Sequence, residues 1–209
     1  MNREKAVAEK LLQINAINLN LQNPYTWASG WKSPIYCDNR KILSHPHVRN
    51  FIKSELTNCV FTEFPDAEII AGVATAGIPH GILIADLLSL PFVYVRSKPK
   101  EHGMGNQIEG ELQEGKKVVV IEDLISTGKS SMQVVEVLQS AGVEVIGICS
   151  IFNYNFDLAK KIFEEKNIKM VSLSNYNSLI QLAIDKNIVS TEDMDTLKKW
   201  RENPSQWSL

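Results

Sequence analysis

Glu122 and Asp123 stand side by side after four apolar residues, Val118, Val119, Val120 and Ile121. Leu124, Ile125, Ser126, Thr127, Gly128, Lys129 and Ser130 follow them. A fully apolar run of that length reads as a strand buried on both faces. Ligands of open parallel sheets bind outside the carboxyl ends of the strands, so this strand carries two carboxylates to a binding edge. The hydroxyls of Ser126, Thr127 and Ser130, with the N–H groups of a turn that opens a helix, make an anion site there. Gly128 lets the backbone come close to a phosphate. Two carboxylates repel a phosphate and therefore need a second purpose. They accept hydrogen bonds from hydroxyls. A ribose 5-phosphate satisfies both demands, with its phosphate in the 126–130 loop and its 2- and 3-hydroxyls against Glu122 and Asp123.

Gly128-Lys129-Ser130 imitates the tail of a nucleotide-binding P-loop. That motif needs its first glycine five positions earlier, where this chain has Asp123, so the match fails. An ordinary helix cap leaves the paired acids unexplained.

A second chemical stretch precedes the acids. Residues 96–115 hold five glycines or prolines, many charges and few apolar side chains. Between two buried strands this predicts a long exposed excursion, and long loops in compact domains are usually functional. Alone, Arg96-Ser97-Lys98-Pro99-Lys100-Glu101-His102-Gly103 is a solvated surface run. About twenty residues before a phosphate cradle, it reads as a cationic lid, with Gly103, Gly105 and Gly110 as hinges.

The elements that must position these groups are legible from periodicity. Val7, Leu11, Ile14 and Ile17 recur at helical spacing, as do Val48, Phe51, Ile52 and Leu56 after Pro46. From residue 69 the pattern alternates: strand 69–72, helix 79–88, strand 92–95, strand 118–121, helix 130–141 closed by Gly142, and strand 143–148. Apolar strands separated by helices predict an α/β fold, with a mostly parallel sheet flanked by helices and joined by right-handed crossovers. Ala71-Gly72-Val73-Ala74-Thr75-Ala76-Gly77 adds a second small-residue turn at the same sheet edge. Ser190-Thr191-Glu192-Asp193 opens a last helix with a capping-box pattern. Residues 24–34 place turn residues between aromatics and suggest short strands or a structured loop.

Composition bounds the rest. A chain of 209 residues suits one domain, 1–209, with a small N-terminal hood over about residues 1–45. The apolar share of 44% and the charged share of 22% are globular values. A net charge of -2 gives no reason to expect nucleic acid or an anionic membrane as partner. Cys37, Cys59 and Cys149 are far apart and match no metal-ligand spacing, which favours free thiols in a reducing, cytoplasmic setting. The N-terminus lacks a secretory pattern. The most apolar stretch, 82–95, is broken by Asp86, Ser89 and Pro91, so no membrane span is expected.

The segment 118–130 resembles the PRPP (phosphoribosyl pyrophosphate) motif of type I phosphoribosyltransferases: four apolar residues, two acids, two apolar residues, then a Ser-Thr-Gly loop. Ala28-Ser29-Gly30-Trp31-Lys32-Ser33-Pro34-Ile35-Tyr36-Cys37-Asp38 resembles the N-terminal motif of the orotate phosphoribosyltransferases. The run from Arg96 to Gly103 is similar to that family's catalytic loop. In this chain Ala28 stands where many members carry lysine, and Ser97 where many have lysine after the arginine. Ile151-Phe152-Asn153-Tyr154-Asn155 holds no arginine for a carboxylate.

The resemblance implies a type I phosphoribosyltransferase fold with a hood, a mobile catalytic loop over about 97–112, and transfer of ribose 5-phosphate from PRPP to orotate. It implies Lys100, His102 and Asp123 as catalytic groups. Arg96, Lys100, His102, Glu122, Asp123, Leu124, Ile125, Ser126, Thr127, Gly128, Lys129 and Ser130 would bind PRPP. Ser126, Lys32 and Tyr36 would bind orotate, with Ser126 or backbone N–H groups meeting its carboxylate. It further implies Mg²⁺ held mainly through PRPP, and a homodimer that shares the loop between subunits. A purine phosphoribosyltransferase would share the PRPP motif but not the Ser-Gly-x-x-Ser-Pro segment. A non-catalytic PRPP-binding regulator would need a basic face and a degenerate lid. The net charge, Lys100 and His102 argue against it.

Overall fold

The computed structural model describes residues 2–98 and 107–207. Helix α1 (Arg3–Gln13) begins where the Asn2 side chain accepts a hydrogen bond from the Lys5 N–H, and it buries Val7, Ala8 and Leu11. Ile17, at helical spacing in the sequence, lies instead in β1 (Ile17–Leu19). The chain reverses at Asn15, which takes a left-handed φ of 52°. Strands β2 (Tyr25–Thr26) and β3 (Lys32–Ser33) form a hairpin. Strand β4 (Ile35–Cys37) returns antiparallel to β1, and a 3₁₀ turn (Asn39–Ser44) follows.

Helix α2 (Pro46–Glu63) leads into the main sheet, with Pro46 at its first position. Then come β5 (Ile69–Val73), α3 (Gly77–Leu88), β6 (Phe92–Val95), β7 (Ile108–Glu109), β8 (Lys117–Ile125), α4 (Lys129–Ser140), β9 (Glu144–Asn153), α5 (Asp157–Glu165), β10 (Met170–Asn175), α6 (Tyr176–Asp185) and α7 (Met194–Glu202). The sheet order is β10-β9-β8-β5-β6-β7, parallel throughout except for the β6–β7 pair. The expected α/β architecture is present. Edge strands β7 and β10 were not read from the sequence. Each is short or only partly buried, so neither carries the apolar signature of an interior strand.

Alternation along β8 divides the core. Val118 and Val120 pack with Val135 and Leu138 of α4 and with Phe163 of α5. Val119 and Ile121 pack with Leu11, Ile52, Ile84 and Leu179 from α1, α2, α3 and α6 on the other face. β8 runs four residues beyond the apolar run, so the two acids lie inside the strand rather than just after it. Ser190 and Asp193 exchange the expected reciprocal hydrogen bonds in the turn that precedes α7. No helix among the described residues is long and apolar enough to cross a membrane.

Candidate active site

The edge formed by the carboxyl ends of β5, β8 and β9 gathers most of the groups that the sequence singles out. Glu122 is only 5% exposed. Its carboxylate accepts hydrogen bonds from the Ser131 hydroxyl at 3.2 Å and from the Asp123 N–H at 3.0 Å. Burial, and then the neighbouring Asp123 carboxylate, hold the Glu122 carboxyl well above its ordinary range. Asp123 is half-buried, and burial raises its carboxyl as well. Two adjacent carboxylates in a desolvated setting retain a proton more readily than either would alone. Hydroxyl donors from a sugar favour the ionised form and relieve that tension.

Past Asp123 the chain turns. Ile125 is buried in the core, so only its backbone faces the site, and its carbonyl accepts from the Tyr154 N–H at 3.0 Å. Ser126 and Thr127 are half-buried, and Lys129 and Ser130 are exposed in the first turn of α4. Gly128 has φ +78°, which a side chain rarely adopts, and a Cβ there would lie 3.0 Å from the Phe163 ring. The helix start has no side-chain cap, so its first N–H groups are open to an anion. The small-residue turn 71–77 comes close because a Cβ on Gly77 would lie 2.4 Å from the Ile121 carbonyl oxygen. Only glycine lets α3 start against β8 there. The Ala74–Thr75 peptide in this turn is cis.

Beside the cradle lies a cleft of about 380 Å³, lined by Trp27, Tyr36, Leu124, Ser126 and Tyr154 among others. A partly aromatic wall that also includes hydroxyl-bearing side chains suits a flat, polar-edged ring. Ser126 and Tyr36 are therefore brought together as expected, with Tyr36 39% exposed at the rim. Lys32 is not among the lining residues; its ammonium donates to the Thr26 hydroxyl at 2.8 Å.

At the neck of the excursion, the Arg96 N–H donates to the Gln107 carbonyl at 2.9 Å, and the Gln107 side chain returns a bond to the Arg96 carbonyl at 2.7 Å. The Arg96 guanidinium lies 3.6 Å from the Glu109 carboxylate. Lys100 and His102 fall outside the described residues, as do Gly103 and Gly105. Within 97–112, Ile108 and Glu109 form β7.

Sequence reasoning missed several groups. Asn39 is fully buried, and its side-chain N–H donates to the Asp123 carbonyl at 2.7 Å, tying the N-terminal segment to the cradle. Cys37 donates to the Asn39 side-chain oxygen at 3.4 Å. Beside them Arg40 binds the Asp38 carboxylate at 2.6 Å and holds it below the ordinary range. Nothing in one sequence marks a buried Asn in a polar run. Tyr154 had a signal. Phe152 and Tyr154 alternate at the end of an apolar strand, next to the edge that the motif defines.

The sequence of residues 41–187 matches the family model described as phosphoribosyl transferase domain. The chain is 58% identical over 207 residues to the orotate phosphoribosyltransferase of Listeria innocua, covering 99% of each. It is 52% identical over 206 residues to that of Bacteroides fragilis, covering 99% of this chain and 97% of the other. The crystal structure of orotate phosphoribosyltransferase from Aeropyrum pernix superposes with a TM-score of 0.74 at 26% identity, covering 88% of this chain and 99% of that one. These relatives span the cradle, the cleft and the sheet that joins them, and the chain belongs to the orotate phosphoribosyltransferase family.

Proposed function

We propose that the protein transfers the ribose 5-phosphate of PRPP to orotate, releasing pyrophosphate and forming orotidine 5′-monophosphate in pyrimidine nucleotide synthesis. The observation that carries this reading is the sharing of Leu124 and Ser126 between the phosphate-side turn and the aromatic cleft. A ribose held by its phosphate at 126–130 and by its hydroxyls at Glu122 and Asp123 is adjacent to a ring lodged between Tyr36 and Tyr154. The Ser126 hydroxyl and nearby backbone N–H groups are the donors for the orotate carboxylate.

In this reading the bond from the anomeric carbon to pyrophosphate breaks, and its electron pair leaves with the pyrophosphate. A base nitrogen closes on the same carbon from the opposite face, and its proton passes to the released pyrophosphate or to solvent. Positive charge develops on the sugar, and Asp123 places a carboxylate near it. Arg96, Lys100 and His102 supply cations and donors to the departing pyrophosphate. The 71–77 turn adds backbone donors. Closure of the loop excludes water.

A magnesium ion would be held mainly through PRPP, where it would neutralise diphosphate charge, and a carboxylate such as that of Asp123 is the kind of hard oxygen donor such an ion would accept. A homodimer sharing the 97–112 loop, and a cytoplasmic setting, complete the reading.

The test is release of pyrophosphate from PRPP, followed through loss of orotate absorbance, with and without magnesium. Turnover with orotate and none with adenine or hypoxanthine is expected. Turnover with a purine in place of orotate would overturn the assignment.

A further inference from the structure

The general domain that the chain shares with other phosphoribosyltransferases spans residues 41–187. Two segments outside it, one on each side in sequence, meet in space at the cleft. The hairpin β2–β3 and strand β4 bring Thr26, Trp27 and Tyr36 to its wall. Helix α7 stands behind that wall. Trp200, on α7, is wholly buried, and its indole N–H donates to the Lys32 carbonyl at 3.0 Å across 168 residues of chain.

The Trp200 ring meets Trp27 edge-on at 5.8 Å and Tyr154 at 5.8 Å. Trp27 and Tyr154 both line the cleft, and they come from opposite ends of the fold, one from the hairpin and one from the end of β9. Their rings lie 5.0 Å apart. Further bonds fix α7 in place. The Tyr176 hydroxyl donates to the Leu197 carbonyl at 3.0 Å, and the Arg201 guanidinium donates to the Asn155 carbonyl at 2.8 Å, one residue after Tyr154. Another bond ties the hairpin to β4: the Trp27 indole N–H donates to the Ile35 carbonyl at 3.1 Å. Trp200 therefore packs against both lining aromatics from behind.

We infer that Trp200 is a positioning residue for the base: from the C-terminal helix it fixes the position and tilt of Trp27 and Tyr154, and so the wall of the cleft against which the flat ring lies. The inference rests on the reading that orotate binds in this cleft. Trp200 itself is buried behind the lining and touches no substrate. It acts on the base half of the site, because its hydrogen bond and ring contacts lie on the hairpin, on Tyr154 and Phe156 after β9, and on Tyr176 of α6. A part of the chain outside the shared donor-binding domain thus sets which acceptor is held.

Steady-state kinetics of the full chain with PRPP and orotate tests this in three variants. Trp200→Phe keeps a ring but loses the N–H donor, and Trp200→Leu loses both. Tyr36→Ala removes a rim residue of the cleft without disturbing the core. Expected is a rise in KM for orotate of about threefold to tenfold in Trp200→Phe and more in Trp200→Leu, with KM for PRPP within about twofold of wild type. Trp200→Leu carries the greater risk to folding, so Trp200→Phe alone suffices to decide. Tyr36→Ala should also raise KM for orotate. If Tyr36→Ala raises it and Trp200→Phe does not, the positioning role is wrong and the cleft assignment stands. If neither raises it, the base does not bind in this cleft and the inference falls with that assignment. Equal rises in both KM values, or a loss of kcat with unchanged KM values, would reduce Trp200 to a fold residue.

Discussion

The phosphate cradle and the base cleft are neighbours built in opposite ways. The cradle is contiguous: Glu122 through Ser131 supply its acids, turn, hydroxyls and helix start in one strand-to-helix passage. The cleft is composite, taking Trp27 and Tyr36 from one end of the chain, Ser126 and Tyr154 from the sheet, and support from Trp200 near the other end. A phosphate is met by backbone geometry that a single turn can provide. A flat ring must be enclosed, and enclosure needs walls from several elements. In the proposed function, the half of the site that holds the donor is therefore local, and the half that holds the acceptor is dispersed.

The sharpest way to break this division is within the cradle. Asp123→Asn keeps the shape and removes the charge nearest the developing cation. Turnover should fall by roughly 10²–10³, with KM for orotate little changed. A rise in KM for orotate of similar size would join the two halves into one.

Asn39→Ala probes the seam between them. It leaves the Asp123 carbonyl without its 2.7 Å donor in a partly buried setting. The expected loss is about 1–3 kcal/mol of stability, read as a shifted urea midpoint, with a smaller loss of turnover. An unchanged midpoint would mean that the N-terminal segment and the cradle are independent.

The smallest effect has an unusual sign. The Glu122 carboxyl is held above its ordinary value, so its contribution to stability is greatest at low pH and is lost as pH rises through the raised value. Glu122→Gln removes one of the two repelling charges. It should melt higher than wild type at about pH 8, by about 2–4 °C for each kcal/mol of repulsion relieved, and the gap should shrink towards about pH 5. The same variant should lose activity. A lower melting temperature at the higher pH would show that Ser131 and the Asp123 N–H outweigh the repulsion.

The same contrast explains what the sequence made legible. The order of interior strands and helices followed from apolar runs and periodicity, because a strand buried on both faces must be apolar. The cradle was readable because its parts are consecutive. Ile17 was misplaced on a helix, since its spacing from Ile14 is helical although α1 ends at Gln13 and Asn15 turns the chain into β1. Strand β10 escaped because only two of its six residues are buried. Tyr36 and Ser126 were identified by type, whereas their meeting with Tyr154 in one cleft depends on tertiary packing that no local pattern encodes. Lys32 was placed at the base; its ammonium is bonded to Thr26 on the paired strand, and Thr26 lines the cleft.

The central claim is that a donor cradle and an acceptor cleft are distinct regions joined at Leu124 and Ser126. Calorimetric titration of ribose 5-phosphate and of orotidine 5′-monophosphate into wild type and Tyr36→Ala tests it most directly. The account predicts that Tyr36→Ala weakens the nucleotide and leaves ribose 5-phosphate unchanged. Equal weakening of both ligands, or of neither, would contradict it.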